Sequence, residues 1–86
     1  MSKIENLPNI GKVLAEKLEL LEIRSAEELI EMGTENVFIQ LYKLDQGDAC
    51  INKLMAIEGA IQGIRWHLLD QNRKDELKEF FNTISV

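Results

Sequence analysis

The chain has few side chains that could act as a nucleophile or general base: His67 is its single histidine and Cys50 its single thiol. On one helix these two would lie ~25 Å apart, which excludes a Cys–His pair within one chain. We expect Cys50 to be an inert core residue and His67 to have a capping or surface role near a helix end. A catalytic role would need a dimer that brings either side chain to a carboxylate. With no phosphate-binding glycine loop of the Walker or dinucleotide type, the sequence predicts a non-enzyme without cofactor, metal site or small-molecule substrate.

One segment carries a pattern with a chemical mechanism, residues 7–18 (LPNIGKVLAEKL), in which a turn leads into an apolar-periodic helix. It resembles the helix-hairpin-helix motif that binds nucleic acid. In that motif, amides at a helix N-terminus hold a backbone phosphate with the help of the helix dipole. The resemblance assigns phosphate contacts to the amides of Ile10, Gly11 and Lys12, and further positive charge to Lys12 and Lys17.

Two features of the sequence restrict this interpretation. Asn9 stands where the motif usually has glycine, although asparagine can also adopt the left-handed conformation. Glu16 and Glu19 offset the two lysines, and the chain has a net charge of −5, all of it contributed by residues 25–50. We therefore expect any binding to double-stranded DNA to be weak and confined to backbone contacts. The same hairpin can also serve purely as a packing unit.

A second candidate surface lies on the predicted fourth helix. Glu58, Gln62 and Arg65 follow one another along one flank of that helix, with Trp66 beside them and off the main apolar stripe. Glu58 and Arg65 could form a surface pair, and Trp66 could anchor a partner or pack beneath the fifth helix. This surface supports a competing function, a protein–protein interaction or homodimerisation module that binds no nucleic acid.

Hydrophobic periodicity and helix-capping residues predict an all-α fold of about five short helices, with an N-terminal helix-hairpin-helix cluster packed on a long C-terminal helix hairpin. The first helix spans about 11–21. The second begins at a capping box formed by Ser25 and Glu28 and ends at Gly33. Predicted N-caps of the last three helices are Thr34, Asp48 and Asp70.

The fourth helix is predicted to be the longest, because its apolar residues keep alternating three- and four-residue steps from Cys50 to Leu68. Gly59 and Gly63 fall inside it, where each glycine costs on the order of 1 kcal/mol relative to alanine. Small residues at this spacing indicate that another backbone passes close to the helix. The predicted core residues are, in chain order, Leu14, Ala15, Leu18, Leu21, Val37, Phe38, Leu41, Leu44, Cys50, Leu54, Ile57, Ile61, Ile64, Leu68, Leu77, Phe80, Phe81 and Ile84.

The 86 residues suffice for one domain, which we place at residues 7–86 after an N-terminal tail of residues 1–6. The apolar runs are too short to cross a membrane, and the N-terminus lacks the apolar region of a signal peptide. One cysteine cannot form an internal disulfide. These features predict a cytoplasmic protein.

Over most of its length the chain resembles the C-terminal domain of the TfoX/Sxy competence regulators, without their N-terminal domain. The more distinctive part of the match is residues 54–66 (LMAIEGAIQGIRW), followed by Leu69 and residues 73–77 (RKDEL). The earlier part comprises residues 7–11, Ile23, Ser25, Glu28, Leu29 and Gly33. The resemblance implies a bacterial helical domain with a hairpin element, in proteins linked to regulation of DNA-uptake genes. It brings no catalytic or cofactor residues.

Overall fold

Helices make up about three quarters of residues 3–84, the part of the chain that this computed structural model describes. The five α-helices are α1 (Lys12–Leu20), α2 (Ala26–Met32), α3 (Thr34–Leu44), α4 (Ile51–Gln62) and α5 (Gln71–Ile84). Single 3-10 turns form at Ile4–Asn6, Gln46–Asp48 and Trp66–Leu68. Within residues 3–84 no strand forms beyond one isolated bridge between Lys3 and Ser25. The all-α prediction is confirmed.

A single apolar core draws on all five α-helices. Its most deeply buried members include Leu18, Leu29, Phe38, Ile57 and Leu77, one from each helix. The ring of Phe38 lies at the centre, with its centroid 6.5 Å from that of Phe80 and 5.9 Å from that of Phe81 on α5. These ring contacts pack α5 against α3.

Residues 3–6, where the described part of the chain begins, belong to the folded domain. Residues 1–6 were predicted to be a tail, but Ile4 is only 6% exposed and is part of the core. Its 3-10 turn lies against α1, and Lys3 bridges to Ser25. For the described residues 3–6 the tail prediction is therefore wrong, because the buried Ile4 side chain and the Lys3–Ser25 bridge attach this segment to the rest of the domain.

Local capping signals identify some helix starts and miss others. The amide of Glu28 donates to Ser25 Oγ, and the Glu28 carboxylate accepts from the Arg24 amide, which confirms a cap at α2. Asp70 likewise accepts from the Asn72 amide at the start of α5. Thr34, however, is the first residue of α3 rather than its cap. Its hydroxyl donates 24 residues away, to Glu58.

The fourth helix differs most from its prediction. Its N-cap is Cys50 rather than Asp48, and Cys50 is exposed, so the prediction that it is a core residue is wrong. The helix ends at Gln62, because Gly63 adopts the left-handed conformation with φ of 75°. The apolar stripe does not continue as a helix through Ile64 and Leu68, and Leu68 is 71% exposed.

Gly59 explains how the chain turns back so sharply after α4. The Ile64 amide donates to the Gly59 carbonyl, which closes the end of the helix. A Cβ on Gly59 would lie 2.8 Å from the Ile64 carbonyl oxygen, closer than real Cβ atoms come, and 3.1 Å from the Trp66 Cα, tighter than most real Cβ contacts. The prediction of a close backbone approach is confirmed for Gly59, and the approaching backbone is the chain's own next turn.

Candidate nucleic-acid interface

The hairpin before α1 is built on a left-handed residue. Asn9 has φ of 68°, and the Ile10 amide donates to the Leu7 carbonyl at 3.3 Å, which closes the turn. Ile10 then points its side chain into the core, where it is 7% exposed. The Ile10 amide therefore has an acceptor inside the hairpin, and its contact with phosphate stays a prediction.

The side chain of Asn9 joins the hairpin to the far half of the chain. Its Nδ2 donates to the Ile64 carbonyl at 2.8 Å, and its Oδ1 accepts from the Trp66 amide at 3.2 Å. Both partners lie in residues 63–66, which we call the connecting turn. The sequence showed only that Asn9 stands where the hairpin motif usually has glycine. No local pattern indicates its hydrogen bonds to residues more than fifty positions away.

Gly11 and Lys12 form the exposed part of the hairpin. Gly11 is the N-cap of α1 and provides no side-chain cap, so the first amides of the helix keep their hydrogen-bonding capacity for an outside acceptor. A Cβ on Gly11 would meet nothing within 4 Å. Lys12 is exposed and makes no ion pair within residues 3–84. These two residues remain candidates for phosphate contact, and we call residues 9–12 the hairpin surface.

Lys17 is less available for contact with phosphate than its position in the sequence indicated. It is half-buried, and its Nζ lies 3.4 Å from Asp45 Oδ2 in the segment that follows α3. Part of its charge is therefore neutralised inside the molecule. The exposed positive charge of the hairpin comes chiefly from Lys12.

Arg65, Trp66 and His67 lie together just beyond α4 rather than along it. Arg65 is exposed, and it precedes the 3-10 turn that begins at Trp66. The half-buried Trp66 packs against the core and stacks on the His67 ring, with centroids 4.1 Å apart. Lys74 Nζ donates to the His67 carbonyl at 3.1 Å, which ties this turn to α5.

Glu58 does not lie on a surface with Arg65. Glu58 is only 7% exposed. Its carboxylate accepts hydrogen bonds from Thr34 Oγ1 at 2.7 Å, from Arg73 Nη2 at 2.9 Å and from the Gln62 side-chain amide. The predicted Glu58–Arg65 pair is wrong, because the helix ends before Arg65. Gln62 stays exposed. Partner binding by Gln62, Arg65 and Trp66 therefore remains a prediction, whereas Glu58 is an internal residue.

Arg73 joins three helices around that buried carboxylate. Besides Glu58 on α4, its guanidinium reaches both carboxylate oxygens of Glu35 on α3, each at 3.1 Å. Burial raises the pKa of Glu58, but hydrogen bonds from Arg73, Thr34 and Gln62 outweigh burial and hold this pKa below its usual value. Hydrogen bonds to Glu35 and Glu58 raise the pKa of Arg73. The network is an internal connection between α3, α4 and α5.

Other kinds of site have little support in the described part of the chain. Residues 3–84 contain no cluster of three or more histidine, cysteine or carboxylate groups placed to hold a metal ion. Among the same residues, no helix has both the length and the apolar character needed to span a membrane.

The fold and the hairpin define an all-α domain with a helix-hairpin-helix-like turn at its N-terminal side. The model of the TfoX C-terminal domain family matches residues 1–81, and the chain belongs to that family. The resemblance drawn from residues 54–66 and the hairpin is thereby confirmed.

Two crystal structures are similar to the whole chain. One is an uncharacterized protein from Listeria monocytogenes in a triclinic form, with 40% sequence identity and a TM-score of 0.94, covering 98% of this chain and 94% of that one. The other, a protein of unknown function from Listeria monocytogenes in a tetragonal form, has 43% identity and a TM-score of 0.87, covering 92% and 96%. No curated protein matches the chain.

Proposed function

We propose that the chain is a non-enzymatic regulatory domain that binds the phosphodiester backbone of duplex DNA through the hairpin surface. Membership of the TfoX C-terminal domain family supports the regulatory role. Weak, sequence-independent contacts are expected, because one exposed lysine and a few amides carry no base-reading groups.

The observation that carries this proposal is the glycine at position 11. Gly11 has φ of −87° and ψ of 179°, a conformation open to any residue, and a Cβ there would point into free space. Neither backbone strain nor crowding inside the protein therefore requires glycine. Its absent side chain leaves the amides of α1 accessible, which is what close approach of a phosphate to the backbone needs.

Substitution of Gly11 by serine separates this function from a purely structural role. The extended backbone suits an N-cap, so a serine hydroxyl would accept from an amide in the first turn of α1 and stabilise the helix by a few tenths of a kcal/mol. The same hydroxyl would occupy the amides that phosphate needs. We expect Gly11→Ser to raise the unfolding midpoint slightly while it lowers DNA affinity.

The assay is fluorescence anisotropy of a labelled duplex at low and moderate salt. Lys12→Glu should abolish binding, whereas Lys43→Glu makes the same charge change at an exposed site on α3 and should weaken it far less. If the wild-type protein binds no duplex at the lowest salt, or Gly11→Ser binds as tightly as wild type, the hairpin is not a phosphate site.

A second candidate function, homodimerisation without nucleic acid, rests on two exposed apolar side chains of α1. Val13 is 61% exposed and Leu20 is 72% exposed, and their spacing of seven residues puts them on one side of the helix. If this face pairs two copies, light scattering should give twice the monomer mass at moderate salt, and Leu20→Lys should give a monomer. A wild-type monomer at high protein concentration would contradict this alternative.

A further inference from the structure

The two hydrogen bonds of Asn9 fix the backbone that carries an exposed arginine, Arg65, which the hairpin motif does not include. They end on the Ile64 carbonyl and the Trp66 amide, the backbone groups on either side of Arg65. Arg65 is therefore held beside the hairpin, although 53 residues separate it from Lys12. Lys12 itself lies three residues from Asn9, at most ~11 Å of chain.

Acidic residues are absent from the chain around the place where the hairpin surface meets the connecting turn, which we call the junction. Neither residues 6–15 nor residues 59–69 contain an acidic residue, and each segment contains one lysine or arginine, Lys12 and Arg65. Since the chain has a net charge of −5 and these two segments carry +2, the rest of the molecule carries −7. Within residues 3–84 neither cation makes an ion pair, so both charges are available to a ligand.

We propose that Arg65 binds a second backbone phosphate of the same duplex, so that the hairpin surface and the connecting turn act as one interface. This inference rests on the proposed function, with Lys12 and the α1 amides at the first phosphate. The guanidinium of arginine forms paired hydrogen bonds to phosphate oxygens, which suits it to a positioned contact. Asn9 is a positioning residue, since its side chain holds the backbone that carries Arg65 against the hairpin that carries Lys12.

The number of phosphates bound can be counted from the salt dependence of affinity. Each neutralised phosphate of duplex DNA contributes about −0.9 to the slope of log K against log salt concentration. Two contacts give a slope about 0.9 steeper than one. Lys12→Gln and Arg65→Gln should therefore each make the slope about 0.9 shallower than that of wild type, and the double variant about 1.8 shallower. The test compares the slopes of the variants with that of wild type, because the acidic remainder of the molecule affects every slope alike.

Arg24→Gln is the matched control. Arg24 is also an exposed arginine, but it lies between α1 and α2 and should leave the slope unchanged if only the junction contacts DNA. Asn9→Ala retains both cations yet should make the slope shallower, measured at a temperature where circular dichroism shows the variant to be folded. If Asn9→Ala does not fold at any temperature, the slope of Arg65→Gln alone decides whether Arg65 contacts DNA.

The possible outcomes separate the two proposals. A slope reduced by Lys12→Gln and by Arg65→Gln, but not by Arg24→Gln, supports both. If Lys12→Gln reduces the slope but Arg65→Gln has the wild-type slope, the Arg65 contact is overturned and the hairpin function is supported. Failure of the wild-type protein to bind any duplex overturns both.

Discussion

Replacement of Arg73 by methionine should destabilise the protein strongly and change the direction of its pH dependence. The Glu58 side chain is 9% exposed, and without Arg73 its charge would face only the neutral donors of Thr34 and Gln62. Breaking a buried ion pair by removing one partner costs ~3–5 kcal/mol. Because the Arg73 side chain remains 26% exposed, we expect the lower end, about 3 kcal/mol. A domain of this length has a total stability of roughly 4–13 kcal/mol.

The sign of the pH effect follows from the pKa of Glu58. In the wild-type protein this pKa lies below its ordinary value of 4.5, so its stabilising contribution is complete above that pH and is lost as pH falls through the folded-state pKa. In Arg73→Met, burial remains while the strongest opposing group is gone, so we expect the folded-state pKa to rise above the unfolded one. The variant should then be more stable at pH 5 than at pH 7.

Urea unfolding followed by far-ultraviolet circular dichroism at pH 5 and pH 7 tests this reasoning. The double variant Arg73→Met/Glu58→Met should recover most of the loss, because no buried charge is left unpaired. Glu76→Gln is the control, since Glu76 contacts Arg73 at 3.4 Å but is 66% exposed, and its loss should cost less than about 0.5 kcal/mol. An equal loss for Arg73→Met at both pH values would refute the assignment of Glu58 as a buried anion.

Backbone geometry gives the remaining predictions. Glu22 is exposed with φ of 64°, so Glu22→Gly should raise stability by up to about 1 kcal/mol by relieving left-handed strain. Asn9→Gly also relieves left-handed strain but loses two hydrogen bonds, so it should lower stability by ~1–2 kcal/mol; a gain would show that these bonds contribute less than the relief of strain. Gly59→Ala should lower the unfolding midpoint in thermal melts, whereas Gly47→Ala, whose Cβ would be 3.6 Å from Asp45, should change it little. Equal midpoints for these two alanine variants would contradict the close approach at Gly59.

Sequence periodicity predicted which segments are helical, but not where the fourth helix ends. Ser25 and Glu28 cap α2 within four residues of chain, so a local pattern is sufficient there. Ile64 continues the apolar spacing of α4, yet the helix ends before it, because Gly63 permits the left-handed turn and burial of Ile64 and Trp66 favours folding back. Apolar spacing alone cannot distinguish a longer helix from a reversal that buries the same side chains.

The candidate site was predictable only in part, for a related reason. The hairpin could be identified from residues 7–12, because its turn and helix start are local. Its link to the connecting turn that carries Arg65 could not, because that link depends on one asparagine side chain and a partner 55 residues away. Likewise Glu58 has the sequence context of a surface charge, and only the positions of Thr34 and Arg73 in the fold make it internal.

The charge distribution bears on how such a domain would meet DNA. With −7 outside the two acid-free segments, most orientations of the protein near a duplex would be repelled, whereas the proposed interface of hairpin surface and connecting turn would be attracted. Screening limits this repulsion to ~8 Å at physiological salt, so it acts on orientation at contact more than on approach from a distance. The acidic remainder would therefore weaken non-specific binding and favour one docking geometry. Because the Asn9 hydrogen bonds connect the two segments that carry Lys12 and Arg65, that geometry would depend on the internal packing that ends α4 at Gly63.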